Sequence, residues 1–403
     1  MKPIAPTVSG SHSLNSLTGN PFSFDPPGRL LDFMREAGDP RLINLAAGVP
    51  SPGLLPASQL ADAFSQGLRN DGGAMFAYHE PEGDSALREI LAIRVGLRGI
   101  EVKSNGIVTT TGCTQALQLA LALLCKPGDV VACECPVYYG LLELLSHFSL
   151  KILPLPLHGD DGIDIDEMEA LLNEHHPRCL VVCSTLSNPS GATIPESNRE
   201  RFVEICRDAS VKVIEDEVYA ELCDGVPPKP LRSYDDGNTV FYVTSFSKTI
   251  APGLRVGFAV PGPHFEDFAE LKCKQDMHSC VISEVMLREY LRGPAEQTLH
   301  VLKQTFARRR ALVREAISAA FPADACVSNP RGGFMFWVQL AREVDLRGMQ
   351  NELRKQRIAV AHGQVFFPKE EQQRFMRLNC AKASEHDLVS GLRVVGCLLQ
   401  KDN

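Results

Sequence analysis

A lysine in an unusual setting is the first candidate for chemistry in this 403-residue sequence. Lys248 lies in the stretch SFSKTIAPGLRVG, just after Ser247 and just before a Pro252-Gly253 turn that leads to Arg255. A lysine that only meets solvent needs neither the hydroxyl side chains nor the sharp turn. An amine that acts as a nucleophile does need neighbours that hold it in place. One lysine in such a stretch is weak support by itself, so its partners have to be found elsewhere in the chain.

Other candidate groups follow short apolar segments of the kind that form buried strands. Asn188 follows LVVCSTLS, Asp216 ends VKVIED, and Tyr219 comes three residues later, while IVTTTG ends at Gly112, where a helical pattern begins. Because the carboxyl ends of parallel strands meet at one edge of a sheet, an amide, a carboxylate, a phenol, an amine and a helix start would share one cleft. Taken singly, each has an ordinary explanation, such as strand-end solvation, a turn or a helix cap. Their order and spacing together point to a site.

These groups need a sheet to bring them together, and the sequence predicts one between about residues 85 and 260. Continuously apolar segments such as GDVVACECP and CLVVCSTL alternate there with helical patterns such as CTQALQLALALLC. This alternation is typical of a mostly parallel sheet covered by helices on both faces. After about residue 295, one long helical pattern precedes shorter strand and helix patterns, which predict a smaller α/β lobe. A chain of this length accommodates two lobes.

The composition argues against several classes of protein. The net charge of −8 and the sequence pI of about 5.8 do not favour a nucleic-acid-binding surface. No stretch reaches the roughly 18 apolar residues of a membrane span, and the N-terminus lacks the apolar core of a secretory signal. The 13 cysteines, an odd number that lies mostly in apolar runs, predict reduced thiols and a cytoplasmic location. Their spacing predicts no metal site.

The series of motifs as a whole resembles the fold-type-I enzymes that depend on pyridoxal 5′-phosphate (PLP). It is most similar to the class I/II aminotransferases, in the branch with the kynurenine and α-aminoadipate aminotransferases and the aminotransferase-like domains of MocR regulators. The matching stretches follow the family's order over about residues 40–395: INLAAGVPSPGLLP, AYHEPEGDSALREIL, TTGCTQAL, ECPVYYG, SNPSGATIP, VIEDEVYAEL, SFSKTIAPGLRVGF, RGGFMFWV and FMRLNCA.

The resemblance implies an α/β fold with two domains. A large PLP-binding domain at residues 61–297 would contain a mostly parallel seven-stranded sheet between helices. A smaller α/β domain would occupy residues 298–403, and residues 1–60 would form an N-terminal arm and part of the small domain.

The same resemblance makes Lys248, Asp216 and Tyr219 the catalytic residues. Lys248 would form a Schiff base with PLP and later move a proton. Asp216 would keep the pyridine nitrogen protonated, so that the ring accepts electrons. Tyr219 and Asn188 would bind the 3′-oxygen of the ring. Tyr138 would stack on the ring face, with the adjacent Tyr139 as the alternative.

The phosphate and the substrate would be held by a further set of residues. The backbone N–H groups at the start of a helix and the arginine fork suit a phosphate. An arginine that grips the substrate α-carboxylate would fix which bond at Cα breaks. For the phosphate these residues are Cys113, Thr114, Ser245, Ser247 and Arg255; for the substrate they are Arg377, Gly48 and Asn188. Tyr78 is similar to the tyrosine that reaches the phosphate of the neighbouring subunit, which implies a homodimer.

The sequence departs from the family pattern in three places. Cys113 stands where serine or alanine is commoner, which changes little if the contact is made by the backbone. His362 stands where relatives usually have proline, and it would either project near the substrate or be a loop residue. Leu31 falls about where relatives can carry a selective arginine, with Arg29 off register, which argues against a long acidic side chain on the substrate.

The resemblance leaves three functional hypotheses. The first is ping-pong transfer of an amino group from an L-amino acid to a 2-oxo acid. The second is a PLP enzyme that uses the same residues for elimination, replacement, decarboxylation or oxidation. The third is a regulatory domain of the MocR type, which is disfavoured because the roughly 40 residues before the matching region contain no helix-turn-helix pattern.

Overall fold

The strands form two main sheets and one short pair. The computed structural model describes residues 35, 38–342, 344, 346–368 and 374–401. In chain order the strands are β1 (Ile43–Asn44), β2 (Val108–Thr110), β3 (Val130–Cys135), β4 (Lys151–Pro156), β5 (Cys179–Val182), β6 (Lys212–Asp216), β7 (Val240–Ser245), β8 (Gly257–Val260), β9 (Cys326–Val327), β10 (Met335–Gln339), β11 (Ile358–Ala359), β12 (Ala361–His362) and β13 (Phe375–Asn379).

The helices of the described residues fall between these strands. In chain order they are α1 (Ala57–Asp71), α2 (Ser85–Gly96), α3 (Cys113–Leu124), α4 (Tyr139–His147), α5 (Ile165–His175), α6 (Glu196–Asp208), α7 (Phe265–Asp276), α8 (Val281–Leu291), α9 (Ala295–Ala320), α10 (Leu346–Lys355) and α11 (Glu385–Lys401).

The large sheet has seven strands in the order β2–β8–β7–β6–β5–β3–β4. The pairings from β4 through β7 are all parallel, and β8 is antiparallel to both of its neighbours. The prediction of a mostly parallel seven-stranded sheet is therefore confirmed. Because β3 to β7 point the same way, the residues at their carboxyl ends gather at one edge of the sheet.

Helices cover both faces of this sheet. Along β5, Leu180 packs against the layer formed by α5 and α6, whereas Val181 packs against the layer formed by α3, α4 and α7. Neighbours in a strand point to opposite faces, so a strand covered on both sides has to be apolar at every position. Each buried valine or leucine contributes about 1.5–3 kcal/mol, so these apolar strands hold the strand ends in place.

A smaller antiparallel sheet carries the C-terminal part of the chain. Its order is β12–β13–β10–β9, and α9 and α11 pack together beside it. The short strand β1 pairs in parallel with β11, which ties the segment after Ile43 to this smaller lobe. The domain boundaries drawn at 60/61 and 297/298 stay a prediction, and α9 runs without interruption across the second one.

Three sequence-based expectations concern membrane-spanning helices, metal sites and disulfide bonds. Within the described ranges, no helix combines the length and the apolar character needed to cross a membrane. The same residues contain no cluster of three or more metal-binding side chains. All 13 cysteines lie in the described part of the chain, and each is a free thiol.

The sequence analysis used Leu31 and Arg29 to argue against a long acidic side chain on the substrate. Both residues lie outside the described residues.

Candidate active site

Lys248 lies in the loop after β7 and is largely enclosed. Its Nζ donates a hydrogen bond to the carbonyl oxygen of Gly48 at 2.8 Å and lies 5.7 Å from the centre of the Tyr219 ring. Burial and, after it, the Arg377 guanidinium lower the pKa of Lys248 to about 8, although the Asp216 carboxylate opposes both. About one in ten such amines is neutral at pH 7, far more than for an ordinary lysine. The structure therefore holds an amine that can act as a base.

Asp216 ends β6 and directs its carboxylate into the same cleft. Its Oδ1 accepts hydrogen bonds from the backbone N–H of Val218 at 3.1 Å and from the thiol of Cys113 at 3.3 Å. Burial raises the pKa of Asp216 to about 6, although both hydrogen bonds lower it. The group is mostly ionised at neutral pH, and it is easier to protonate than an ordinary aspartate.

Arg377 lies on β13 and is almost fully buried, at 1% exposure. Its Nη1 donates to Oδ1 of Asn188 at 2.7 Å and its Nη2 to the carbonyl oxygen of Ala46, while the guanidinium lies 4.7 Å from the centre of the Phe366 ring. Its buried Nε has no hydrogen-bond partner among the described residues. Burial lowers the pKa of Arg377. A buried donor without a partner is costly, and an anionic ligand would satisfy it.

Asn188 connects this arginine to Tyr219. Its Nδ2 donates to the Tyr219 hydroxyl at 3.5 Å, while its Oδ1 is taken by Arg377. Gly48 lies against the Arg377 guanidinium, where an added Cβ would stay 3.6 Å from the nearest nitrogen. The structure thus brings together the four residues that were expected to surround the substrate and the 3′-oxygen.

A second cluster forms around the start of α3. Gly112 precedes the helix with φ of 80°, and a Cβ there would lie 2.5 Å from Nη2 of Arg255. Arg255 itself has φ of 53°, directly after the 3₁₀ turn Pro252–Leu254. Its guanidinium donates to the carbonyl oxygen of Thr111 at 3.1 Å and to the Ser247 hydroxyl at 3.4 Å. Only glycine at position 112 lets the arginine approach the helix N-terminus this closely.

Ser245 and Ser247 complete this cluster. Ser245 is buried at the end of β7, and its hydroxyl accepts a long hydrogen bond of 3.5 Å from the backbone N–H of Ser247. The free N–H groups at the start of α3, the two serine hydroxyls and the Arg255 guanidinium make a set of donors suited to a dianion.

Two residues that hold this cluster were missed by the sequence analysis. The Gln115 side chain accepts from the backbone N–H of Thr111 and donates to the carboxylate of Asp276, both at 2.7 Å. Asp276 also accepts from the Thr111 hydroxyl at 3.3 Å and from Lys272 at 3.1 Å. Asp276 ends α7, 161 residues after Gln115, and no local pattern marks it as a partner of the loop. Phe366 beside Arg377 was missed for the same reason.

The two adjacent tyrosines occupy different surroundings. Burial raises the pKa of Tyr138, whose ring packs against the apolar cluster between the large sheet and α3, α4 and α7. Tyr139 packs edge-on against Phe366, with ring centres 5.8 Å apart. The structure therefore places Tyr138 beside the large sheet and Tyr139 in the aromatic wall near Arg377.

The structure also places Tyr78, His362 and Cys113. Tyr78 is 80% exposed, and its one described ring contact is with His278 at 5.5 Å, so it does not join the cleft of its own chain. Of the two alternatives for His362, a loop residue is wrong, whereas projection near the substrate stays a prediction. His362 is buried in β12 opposite Met376, because main-chain pairing with β13 turns it to the face away from Arg377. The side chain of Cys113, which was expected to matter little, contacts Asp216.

Comparison with known proteins identifies the family. The family model for aminotransferases of class I and II matches residues 40–395. The chain belongs to this family. It is 28% identical to a 2-aminoadipate transaminase of Thermus thermophilus over 90% of this chain and 91% of that protein. The structure of a kynurenine aminotransferase of Pyrococcus horikoshii superimposes with a TM-score of 0.87 at 25% identity, covering 97% of each chain.

Regulators are also similar to this class I/II aminotransferase. An Escherichia coli protein named HTH-type transcriptional regulator YjiR is 28% identical over 91% of this chain and 79% of its own length. The prediction that no nucleic acid is bound therefore stays a prediction. The predictions of fold type I, of PLP as the cofactor and of an aminotransferase are confirmed by the family and by its solved structures.

The residues of the cleft fit PLP on observations made in this chain. The orphaned Nε of Arg377 and the close approach of Arg255 to Gly112 mark two places built for anions. Asp216 offers a carboxylate to a ring nitrogen, and Lys248 offers an amine of lowered pKa. A cofactor that carries a phosphate, a basic nitrogen and an aldehyde matches these donors and acceptors in kind.

Proposed function

We propose that this aminotransferase takes the amino group of an L-amino acid and passes it to a 2-oxo acid, with Lys248 as the catalytic amine and Arg377 as the carboxylate anchor. One observation carries the proposal. Lys248 Nζ and Arg377 Nη2 are bound to carbonyl oxygens of the same three-residue segment, those of Gly48 and Ala46. This segment fixes the amine relative to the cation. An α-amino acid held by its carboxylate at Arg377 would present its Cα–H to Lys248.

Lys248 would act both as the point of covalent attachment and as the base. Its lowered pKa supports the second role, because only the neutral amine can accept the Cα proton. Bound PLP supplies an electron-accepting ring that stabilises the charge left at the substrate carbon. After the proton has left Cα, the Lys248 ammonium would be the group that returns it.

Asp216 and Tyr219 would tune the cofactor ring. The Asp216 carboxylate would hold a proton on the ring nitrogen, which its hydrogen-bonded Oδ1 supports by keeping the group in one orientation. The hydroxyl of Tyr219 and the amide of Asn188 would bind the 3′-oxygen, and their mutual hydrogen bond supports a shared target. Tyr138 would stack on the ring.

The phosphate would be bound at the start of α3. The backbone N–H groups of Cys113 and Thr114, the Thr114 hydroxyl, Ser245, Ser247 and Arg255 would be its ligands. The close packing of Arg255 against Gly112 and the carbonyl of Thr111 supports this assignment. It places a permanent positive charge beside the positive end of the helix dipole, and an anion bound between the two is stabilised by both.

The covalent role of Lys248 can be tested by reduction. Borohydride treatment of the PLP-loaded protein, followed by peptide mass spectrometry, should find the cofactor on the peptide that contains Lys248. The Lys248→Ala variant should carry none after the same treatment. A reduced label on a different lysine, or activity of Lys248→Ala near that of the natural chain, would contradict the proposal.

We further propose that the active unit is a homodimer in which Tyr78 of one subunit contributes to the phosphate site of the other. The 80% exposure of this tyrosine, with Phe76 at 64% and Met277 at 56% also exposed, supports a surface that a second copy would cover. A cytoplasmic location is supported by the 13 free thiols, and the absence of a nucleic-acid partner by the net charge of −8.

Mixing of variant subunits tests whether Tyr78 serves the site of its own chain or that of the other subunit. Dimers made from one Lys248→Ala subunit and one Tyr78→Ala subunit would contain one intact site if Tyr78 acts across the interface, and would regain about half of the natural activity. If Tyr78 acts within its own chain, no site is intact, and the mixed dimer has about half of the activity of the Tyr78→Ala dimer at a limiting PLP concentration. Gel filtration at the assay concentration checks that mixed dimers have formed, and a gel-shift assay tests nucleic-acid binding.

A further inference from the structure

We infer that Cys113 is a positioning residue whose thiol holds the Asp216 carboxylate in the orientation needed for the ring nitrogen of PLP. This inference rests on the proposed role of Asp216. It assigns a task to the side chain of a residue that otherwise would act through its backbone alone.

The two oxygens of the Asp216 carboxylate are not equivalent. Oδ1 accepts two hydrogen bonds, from the Cys113 thiol at 3.3 Å and from the Val218 N–H at 3.1 Å. Oδ2 accepts no hydrogen bond from the described residues, and it is not fully buried. The thiol and the backbone N–H therefore fix one oxygen and leave the other facing the cleft.

The backbone around Cys113 leaves the thiol little freedom. Gly112, with φ of 80°, turns the chain into α3, and Cys113 is the first residue of the helix. A Cβ at Gly257 would lie 3.0 Å from the Cys113 nitrogen and 2.8 Å from the Gly112 carbonyl carbon, so β8 packs directly against this peptide. This packing sets the direction of the Cα–Cβ bond of Cys113 toward Asp216.

The charges around the pair keep the thiol a donor. Burial raises the pKa of Cys113 well above its usual value, and Asp216 raises it further. A protonated thiol can donate to a carboxylate but cannot compete with it for a proton. The titratable and charged groups that act on the pair are Lys248, Arg255, Glu134, Glu217, Tyr138, Tyr219 and Cys183.

A hydrogen bond to the ionised carboxylate favours the ionised form, so the thiol has a predictable effect on titration. Asp216 has a pKa of about 6 with the thiol present. Without it the carboxylate would protonate at higher pH and would also lose one of its two restraints. A serine hydroxyl in the same place would be a stronger donor than the thiol.

The experiment measures PLP affinity between pH 5 and 8 by equilibrium dialysis for four proteins. They are the natural chain, Cys113→Ala, Cys113→Ser and the control Cys273→Ala, which removes an exposed thiol from α7. The affinity of the natural chain should fall as the pH drops through the pKa of Asp216. Ionisation of free PLP is common to all four proteins, so differences between their profiles report on the protein.

In Cys113→Ala, the midpoint of this acid limb should move to higher pH by about half a unit, as expected for the loss of one weak donor to a charged group. Cys113→Ser should leave it at or below the natural position, and Cys273→Ala should not move it. A loss of affinity in Cys113→Ala that is equal at every pH, or an unmoved midpoint, would overturn the inference, since a purely structural role has no reason to follow the titration of Asp216.

Failure of the proposed function gives a different result. If Asp216 is not the partner of the ring nitrogen, Asp216→Ala binds PLP as tightly as the natural chain and shows the same pH profile. If only the role of Cys113 is wrong, Asp216→Ala changes the profile and Cys113→Ala leaves it unchanged. Thermal melting of each apoprotein shows that the variants are folded.

Discussion

Two arginines near Lys248 are held in opposite ways. Arg377 is buried on β13, with its guanidinium fixed by Asn188, by the carbonyl oxygen of Ala46 and by the ring of Phe366. Arg255 is exposed in the loop after β7 and donates longer hydrogen bonds of 3.1–3.4 Å to two carbonyl oxygens and one hydroxyl. Water can replace the ligand of an exposed arginine but not that of a buried one.

This difference suits two kinds of anion. A substrate carboxylate binds and leaves in every turnover and has to be oriented each time, which requires a rigid and dry partner. A cofactor phosphate stays bound through turnover and is held by several donors at once, so no single donor has to be rigid. We therefore expect substitutions of Arg377 to act on turnover and substitutions of Arg255 to act on cofactor retention.

The largest effect is expected at Arg377. Arg377→Lys and Arg377→Gln should lower kcat/KM for the amino acid by about 100- to 1000-fold, because the buried guanidinium proposed to anchor the carboxylate is lost. Affinity for PLP should change by less than about threefold. Steady-state kinetics and equilibrium dialysis measure the two quantities. A loss of PLP affinity as large as the loss of kcat/KM would remove the distinction between the two arginines.

Substitution of Arg255 should have a smaller effect, on PLP affinity rather than on turnover. Arg255→Gln should weaken PLP binding by about 10- to 30-fold, the size of a hydrogen bond to a charged group, and Arg255→Lys should keep most of the affinity. The Michaelis constant for the amino acid should stay nearly unchanged once the variant is saturated with PLP. Dialysis at two salt concentrations checks the account further, since binding at an exposed cation should weaken with salt. Unchanged PLP affinity in Arg255→Gln would place the phosphate elsewhere.

Substitution of Asp276 should have a still smaller effect on PLP affinity. Asp276→Asn weakens the support of Gln115 and Thr111, and through the carbonyl oxygen of Thr111 that of Arg255, so PLP affinity should fall by about two- to fivefold. Asp267→Asn removes an exposed carboxylate from the same helix and is the matched control. Equal affinities for the two variants would show that the network around Asp276 does not reach the phosphate site.

The smallest effect is a shift in the titration of Lys248. Both arginines lower its pKa, Arg377 more than Arg255, so removing either cation should raise it. Competitive labelling of the apoprotein with acetic anhydride, read on the Lys248 peptide, should give a midpoint near 8 for the natural chain. The midpoint should rise by a few tenths of a unit in Arg255→Gln and by about one unit in Arg377→Gln. The reverse order would contradict the burial assigned to the two sites.

The sequence predicted those parts of the site that depend on local order along the chain. Asn188, Asp216 and Lys248 follow apolar strand segments, and parallel strands bring such residues to one edge whatever the details of packing. Arg377 was found through the family motif FMRLNCA and not through its place at a strand end. The strands of the smaller sheet do not alternate with helices as regularly as those of the large sheet.

The remainder of the site depends on contacts between distant segments. Asp276 and Phe366 lie on elements that meet the cleft only after the lobes have packed, and their residue types are ordinary. His362 was not recognised as a strand residue because a two-residue strand leaves almost no pattern in the sequence. The direction of the Cys113 thiol follows from the approach of Gly257 in β8, which no local motif reports.

The most direct test of the account is a half-reaction without an amino acceptor. The PLP-loaded protein is mixed with each amino acid of a panel, and the 2-oxo acid formed is counted by mass spectrometry. Transamination predicts about one 2-oxo acid per subunit for the true donor, no free ammonia, and renewed turnover when a 2-oxo acid is added. Release of ammonia or carbon dioxide in place of a single equivalent of 2-oxo acid, or an equal yield from Lys248→Ala, would contradict it.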